Sequence, residues 1–122
     1  MSSLHGESDR ITIHPQPQRV EVDFHGTMIA ATTAALILEE RGHDPVLYIP
    51  RGDVRMELFT PTDRRTTCPW KGEARYWSVG AGGHVAENAA WSYETPLAGV
   101  GQIAGHLAFY PDTVTIRVGD QT

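Results

Sequence analysis

Arg19-Val20-Glu21-Val22-Asp23-Phe24-His25-Gly26-Thr27-Met28-Ile29-Ala30-Ala31 carries the clearest structural signal in the chain. Polar and apolar residues alternate as far as Phe24, the period of a strand with one buried face. His25-Gly26 then supplies a tight turn, and Thr27 to Ala31 returns as the second strand. The stretch predicts an antiparallel hairpin and sets the fold class as mainly β.

Working outward, Ile11-Thr12-Ile13 starts a strand that His14-Pro15-Gln16-Pro17-Gln18 interrupts, since neither Pro carries a backbone donor. That segment reads as an extended connector, and Met1 to about Arg10 as a flexible N-terminal arm before one domain spanning 11–122. Ala34 to Glu40 suits a helix by composition and a strand by length and by the Gly42 that follows; we read it as a strand. Val46 to Ile49 is a short buried strand, and Pro50 to about Met56 a brief helical turn with Asp53 near its positive end. Thr60-Pro61-Thr62-Asp63-Arg64-Arg65 reads as loop. Arg75 to Val79 is a strand, Gly80 to Gly83 a turn, and His84 to Tyr93 the longest extended segment. On that segment the pleat puts Val85, Glu87, Ala89, Trp91 and Tyr93 on one face and Asn88, Ala90 and Ser92 on the other. Gly99 to Gly101 reads as flexible, Ile103 to Tyr110 as a strand, and Thr113 to Val118 as the last one. Nothing repeats as strand-helix-strand, so doubly wound folds are disfavoured.

With 122 residues the chain is long enough to bury a core without disulfides or metal, and 12 Gly with 8 Pro imply many turns. A net charge of -5 argues against diffuse attraction to nucleic acid or an anionic membrane. The single Cys makes no internal disulfide, no apolar run reaches the roughly 20 residues of a membrane span, and the N-terminus lacks the apolar centre of a signal peptide. The expected location is the cytoplasm.

Thr66-Thr67-Cys68-Pro69-Trp70-Lys71-Gly72-Glu73-Ala74-Arg75-Tyr76-Trp77 gathers the only Cys, the only Lys and two of the three Trp. Cys68, with Lys71 after it and Arg64 and Arg65 before it, is a candidate nucleophile, because nearby cations favour the thiolate; the alternative, and the more usual role of a lone Cys, is a small packed residue. Glu87 is expected to face inward beside aromatic rings. There it is either a general acid or base or the anion of a structural ion pair with Arg55, Lys71 or Arg75. Trp70, Tyr76, Trp77, Trp91, Tyr93, Phe109 and Tyr110 form either a platform for a flat ligand or plain core. The six His show no HxH, HExxH or CxxC spacing, so no metal is expected, and Gly80 to Gly83 lacks both phosphate-binding signatures.

Four ordered motifs resemble one family. They are Tyr48-Ile-Pro-Arg-Gly-Asp-Val-Arg-Met56, Cys68-Pro-Trp-Lys-Gly-Glu-Ala-Arg-Tyr-Trp77, Glu87-Asn-Ala-Ala-Trp-Ser-Tyr93 and Ile103-Ala-Gly-His-Leu-Ala-Phe-Tyr110. The chain is similar, over nearly everything past the arm, to the domain of unknown function family 427 (DUF427), sometimes labelled nucleotidyltransferase-like. The resemblance implies a small single-domain β-tent, a twisted antiparallel sheet with at most one or two short helical turns. Its signature falls on Arg51, Asp53, Val54 and Arg55, on Cys68, Lys71 and Gly72, on Tyr76 and Trp77, on Glu87, Asn88, Trp91 and Tyr93, and on Gly105, Phe109 and Tyr110. Zinc-binding relatives of that architecture use paired Cys motifs, which a single Cys does not provide. Phosphoryl transfer wants grouped metal-binding carboxylates, whereas Asp53, Glu57 and Asp63 are scattered.

The expected site is therefore a pocket for an unknown small molecule, without cofactor or metal. Glu87, Cys68 and Lys71 are its reactive groups, and Arg55, Trp70, Tyr76, Trp77, Asn88, Trp91 and Tyr93 hold the ligand. The alternative is a non-catalytic interaction module, including self-association as a homodimer.

Overall fold

The structure, a computed structural model, describes residues 10–119. Ten strands run in the order β1 (Ile11–Gln16), β2 (Val20–Phe24), β3 (Thr27–Thr32), β4 (Ala35–Glu40), β5 (Val46–Tyr48), β6 (Phe59–Cys68), β7 (Gly72–Ala81), β8 (His84–Ser92), β9 (Ala108–Phe109) and β10 (Thr115–Val118). They form three antiparallel sheets, ordered β1-β4-β5, β10-β2-β3 and β6-β7-β8-β9. Apart from Arg10 itself, helical structure among the described residues is confined to short 3-10 segments at Arg51–Asp53, Met56–Leu58 and Ala98–Ile103. The fold is mainly antiparallel β, as read from the sequence. No helix among the described residues is long and apolar enough to cross a membrane.

The β2–β3 hairpin forms as expected. His25 (φ 49°) and Gly26 (φ 84°) both take the left-handed conformation that a two-residue turn of this hand requires. At its tip the His25 ring stacks on His84 at the start of β8, with centroids 3.7 Å apart. The segment expected from Ala34 is a strand, β4, from Ala35 to Glu40, whose helix-compatible composition is overridden by pairing on both sides.

Three readings need correction. Pro15 does not end β1, because β1 is an edge strand and Pro15 faces a partner, Leu36, on one side only. The expected N-terminal arm lies outside the described residues except for Arg10, whose guanidinium is 4.3 Å from the centre of the Trp70 ring. Thr60 to Arg65 is part of β6 rather than loop. The ladder jumps from Pro61↔Trp77 to Arg65↔Arg75, so Thr62, Asp63 and Arg64 stand against Tyr76 alone, a bulge that hides the strand's period. Finally, Ala98–Ile103 is a 3-10 segment, not a flexible stretch, and β9 keeps only Ala108 and Phe109 of the longer strand expected from Ile103.

The central feature is a sheet with a core on each face. Ala74 and Tyr76 of β7 enter one buried cluster with Leu38, Tyr48, Tyr93 and Ile103, while Trp77 and Val79 enter the other with Val22, Phe24, Ile29 and Leu107. The same alternation divides Tyr48 from Ile49 and Ala108 from Phe109. Where β5 ends, Ile49 and Leu107 exchange backbone hydrogen bonds of 2.8 Å, tying the β1-β4-β5 sheet to the chain entering β9. Leu107 is fully buried at this junction. Leu107→Ala is expected to lower unfolding free energy by about 2–5 kcal/mol, measured by denaturant titration, through lost contacts and the remaining cavity.

Candidate functional site

A hollow of about 460 Å³ lies between the β4–β5 hairpin and strands β6 to β8. Leu38 and Glu40 of β4, Val46 and Tyr48 of β5, Cys68 at the end of β6, Tyr76 of β7, Trp91 of β8 and Tyr93 just past it line the hollow. Trp70 and Lys71 reach it from the β6–β7 turn, and Arg10 closes one side. The pleat explains the grouping: Leu38 and Glu40 are two apart, as are Val46 and Tyr48, and the register pairs Leu38 with Val46.

The charged centre is a pair joining the two sheets. Lys71 Nζ donates to Glu40 Oε1 at 2.7 Å, with the two side chains only 12% and 9% exposed. The other Glu40 oxygen faces Arg10 Nε at 3.7 Å and His43 Nε2 at 4.0 Å. Lys71 is set by its turn. Its carbonyl accepts from Leu97 N–H at 3.0 Å, and the next residue, Gly72, takes φ 112°, a conformation that side-chain-bearing residues rarely adopt.

The phenols differ from one another. Tyr48, 1% exposed, accepts a hydrogen bond from Trp91 Nε1 at 3.3 Å, and burial pushes its pKa up to about 12. Burial likewise raises Tyr93, whose hydroxyl has no hydrogen-bond partner among the described residues although the side chain is 6% exposed. Tyr76 moves the other way. Burial raises it, but hydrogen bonding with Thr66 and Tyr110 and the Arg64 guanidinium 4.9 Å from its ring centre outweigh that and lower it. Tyr110 is pushed up to about 12, first by burial and then by Tyr76.

Of the residues expected at the site, Cys68, Lys71, Trp70, Tyr76, Trp91 and Tyr93 do line the hollow. Four do not. Glu87 is exposed, because the β7–β8 ladder jumps from Trp77↔Ala90 to Val79↔Ala86 and sets Glu87, Asn88 and Ala89 against Ser78 alone. That bulge breaks the alternation that would have aligned Glu87 with Trp91. Asn88 is its pivot: at φ 52° its N–H donates to Ser78 Oγ at 3.1 Å, and its Oδ1 accepts from Thr62 Oγ1 at 2.6 Å. Trp77 is buried in the opposite core with Arg51 5.0 Å from its ring centre, and Arg55 pairs at the surface with Glu57 at 3.0 Å. Arg51 and Asp53 hold structure, Arg51 pairing with Glu94 and donating to the Gly105 carbonyl, Asp53 accepting from Thr32 Oγ1 at 2.6 Å.

Glu40 and Tyr48 are the site residues that sequence reasoning missed. The available signal was Glu40 on the pleat face of Leu38 at the end of a strand already recognised. Among the described residues, no group of three or more His, Cys, Asp and Glu comes together to hold a metal ion.

Fold and site together define a small antiparallel β protein with an ion-paired, aromatic-walled hollow between two of its sheets. The chain belongs to the family described as "Domain of unknown function (DUF427)", which matches residues 12–120. No curated protein matches it.

Two outcomes are expected. Glu40→Gln should destabilise the fold by about 2–3 kcal/mol, less than for a pair sealed from solvent, and Glu40→Gln/Lys71→Met should recover most of that loss, read by urea titration of the full cycle. Separately, the stability contributed by Tyr48 is fully present below pH 10, where the unfolded chain's phenol starts to ionise, and is lost as pH rises towards about 12. Thermal scans across that window should therefore show a steeper fall in Tm for the wild type than for Tyr48→Phe.

Proposed function

We propose that the hollow binds a small molecule, oriented by the Lys71–Glu40 pair and held between Trp70, Trp91 and the phenols of Tyr48, Tyr76 and Tyr93. One observation carries this reading: polar side chains from two different sheets converge on a single concavity, among them Tyr93, whose hydroxyl has no protein partner among the described residues. Mixed aromatic and polar lining with a few converging donors is the general character of ligand sites.

The chemistry available to a bound molecule is acid-base work by Glu40 and Lys71, with Glu40 in the part expected of Glu87, and attack by the neighbouring Cys68 thiol. Support over a self-associating module comes from the spread of exposed large apolar side chains over separate strands, Met28 on β3, Val85 on β8 and Val118 on β10, while Trp70 and Leu97 come together at a second, smaller hollow.

Protein purified without dialysis and analysed by native mass spectrometry tests the proposal directly, alongside a fragment screen by ligand-observed NMR. Bound molecules or hits are expected to be lost in Lys71→Met and to slow alkylation of Cys68 by iodoacetamide. Hits that bind Lys71→Met and Tyr93→Phe as well as the wild type would place binding elsewhere and defeat the proposal.

A further inference from the structure

We infer that the ligand of this hollow carries a carboxylate head on an apolar body, a reading that rests on the hollow being a small-molecule site. Donors and acceptors around its wall do not balance. Glu40 is the acceptor in the interior, and both its oxygens are engaged, one by Lys71 and the other facing Arg10 and His43. Donors remain in surplus. The Lys71 ammonium has three N–H groups and a single side-chain partner. Arg10 Nε is buried without a hydrogen bond among the described residues, its ion-pair distance to Glu40 being too long for one. The Tyr48 hydroxyl accepts from Trp91 and donates to nothing among the described residues, and the Tyr93 hydroxyl has no partner at all among them.

A buried donor left without an acceptor, as Arg10 Nε is here, is costly, and an acceptor-rich ligand group would satisfy it together with the spare donors of Lys71, Tyr48 and Tyr93. Charge points the same way. Lys71 and Arg10 face a single interior carboxylate, since Asp44 is exposed at the rim beside His43, so one further negative charge completes the balance. Burial keeps Tyr48 and Tyr93 protonated at neutral pH, hence donors to an anion and not competitors with it. A cationic head, by contrast, would compete with Lys71 for an oxygen already taken. Leu38, Val46 and the Trp91 ring offer the apolar surface for the rest of the molecule.

The test compares 3-phenylpropionate, 3-phenylpropanol and 3-phenylpropylamine, which share a body and differ in the head, by ligand-observed NMR titration at neutral pH. The acid is expected to bind at least about tenfold more tightly than either of the others, the advantage a charge-assisted hydrogen bond supplies. Tyr93→Phe, which removes one hydroxyl and no existing hydrogen bond, should weaken the acid about three- to tenfold and leave the alcohol and amine unchanged. Lys71→Met should abolish the preference. If the amine or alcohol binds as well as the acid, the carboxylate inference is overturned while the small-molecule site stands. Failure of all three to bind up to their solubility limit would sink both.

Discussion

The structure depends on the pleat of strands buried on both faces. In β7, Tyr76 and Trp77 are neighbours in sequence, yet one helps to wall the hollow and the other fills the opposite core. Tyr48 and Ile49, like Ala108 and Phe109, are divided in the same way. A slip of one residue in register would exchange these sets, sending phenols into a closed apolar core and an indole towards the ion pair. Specificity of register is therefore what creates the hollow, and the hydrogen bonds that hold it are spread over the whole central sheet.

Against that constraint the two bulges are informative. Each inserts residues opposite the stretch Tyr76–Ser78, one from β6 and one from β8, and they are linked to each other by the Thr62–Asn88 hydrogen bond. They bend the outer strands around the segment that supplies Tyr76, and Asn88 adopts a conformation most residues avoid to make this possible. The family signature on Asn88, Arg51 and Asp53 is accounted for by this scaffolding. Its residues at Cys68, Lys71, Tyr76, Trp91 and Tyr93 instead meet at the hollow.

Much of this was legible from residue order alone. The β2–β3 hairpin, β4, β5 and the body of β8 follow from period-two patterning and turn chemistry, and the concentration of Cys68, Trp70 and Lys71 did mark one side of the site. What was not legible shares a physical cause. Alternation predicts the facing of a side chain only while the ladder runs without insertions, so Glu87, one of the bulged residues around Asn88, was expected inside and is exposed. The bulge in β6 likewise erased the pattern through Thr62, Asp63 and Arg64. Glu40 was missed for another reason: its partner, Lys71, is 31 positions away and comes from a different sheet, a proximity that only the packed fold creates.

The β6 bulge also bears on what the molecule avoids. β6 is ten residues long and lies at the open edge of its sheet, where unpaired backbone groups would ordinarily invite a strand from another chain. Pro61 removes a donor there, the bulge interrupts the run of amides, and Asp63, Arg64 and Arg65 cover the break with exposed side chains bearing charge. The kink that shapes one wall of the cavity thus also spoils a template for aggregation, so straightening it by deletion would trade a curved, guarded margin for a sticky one.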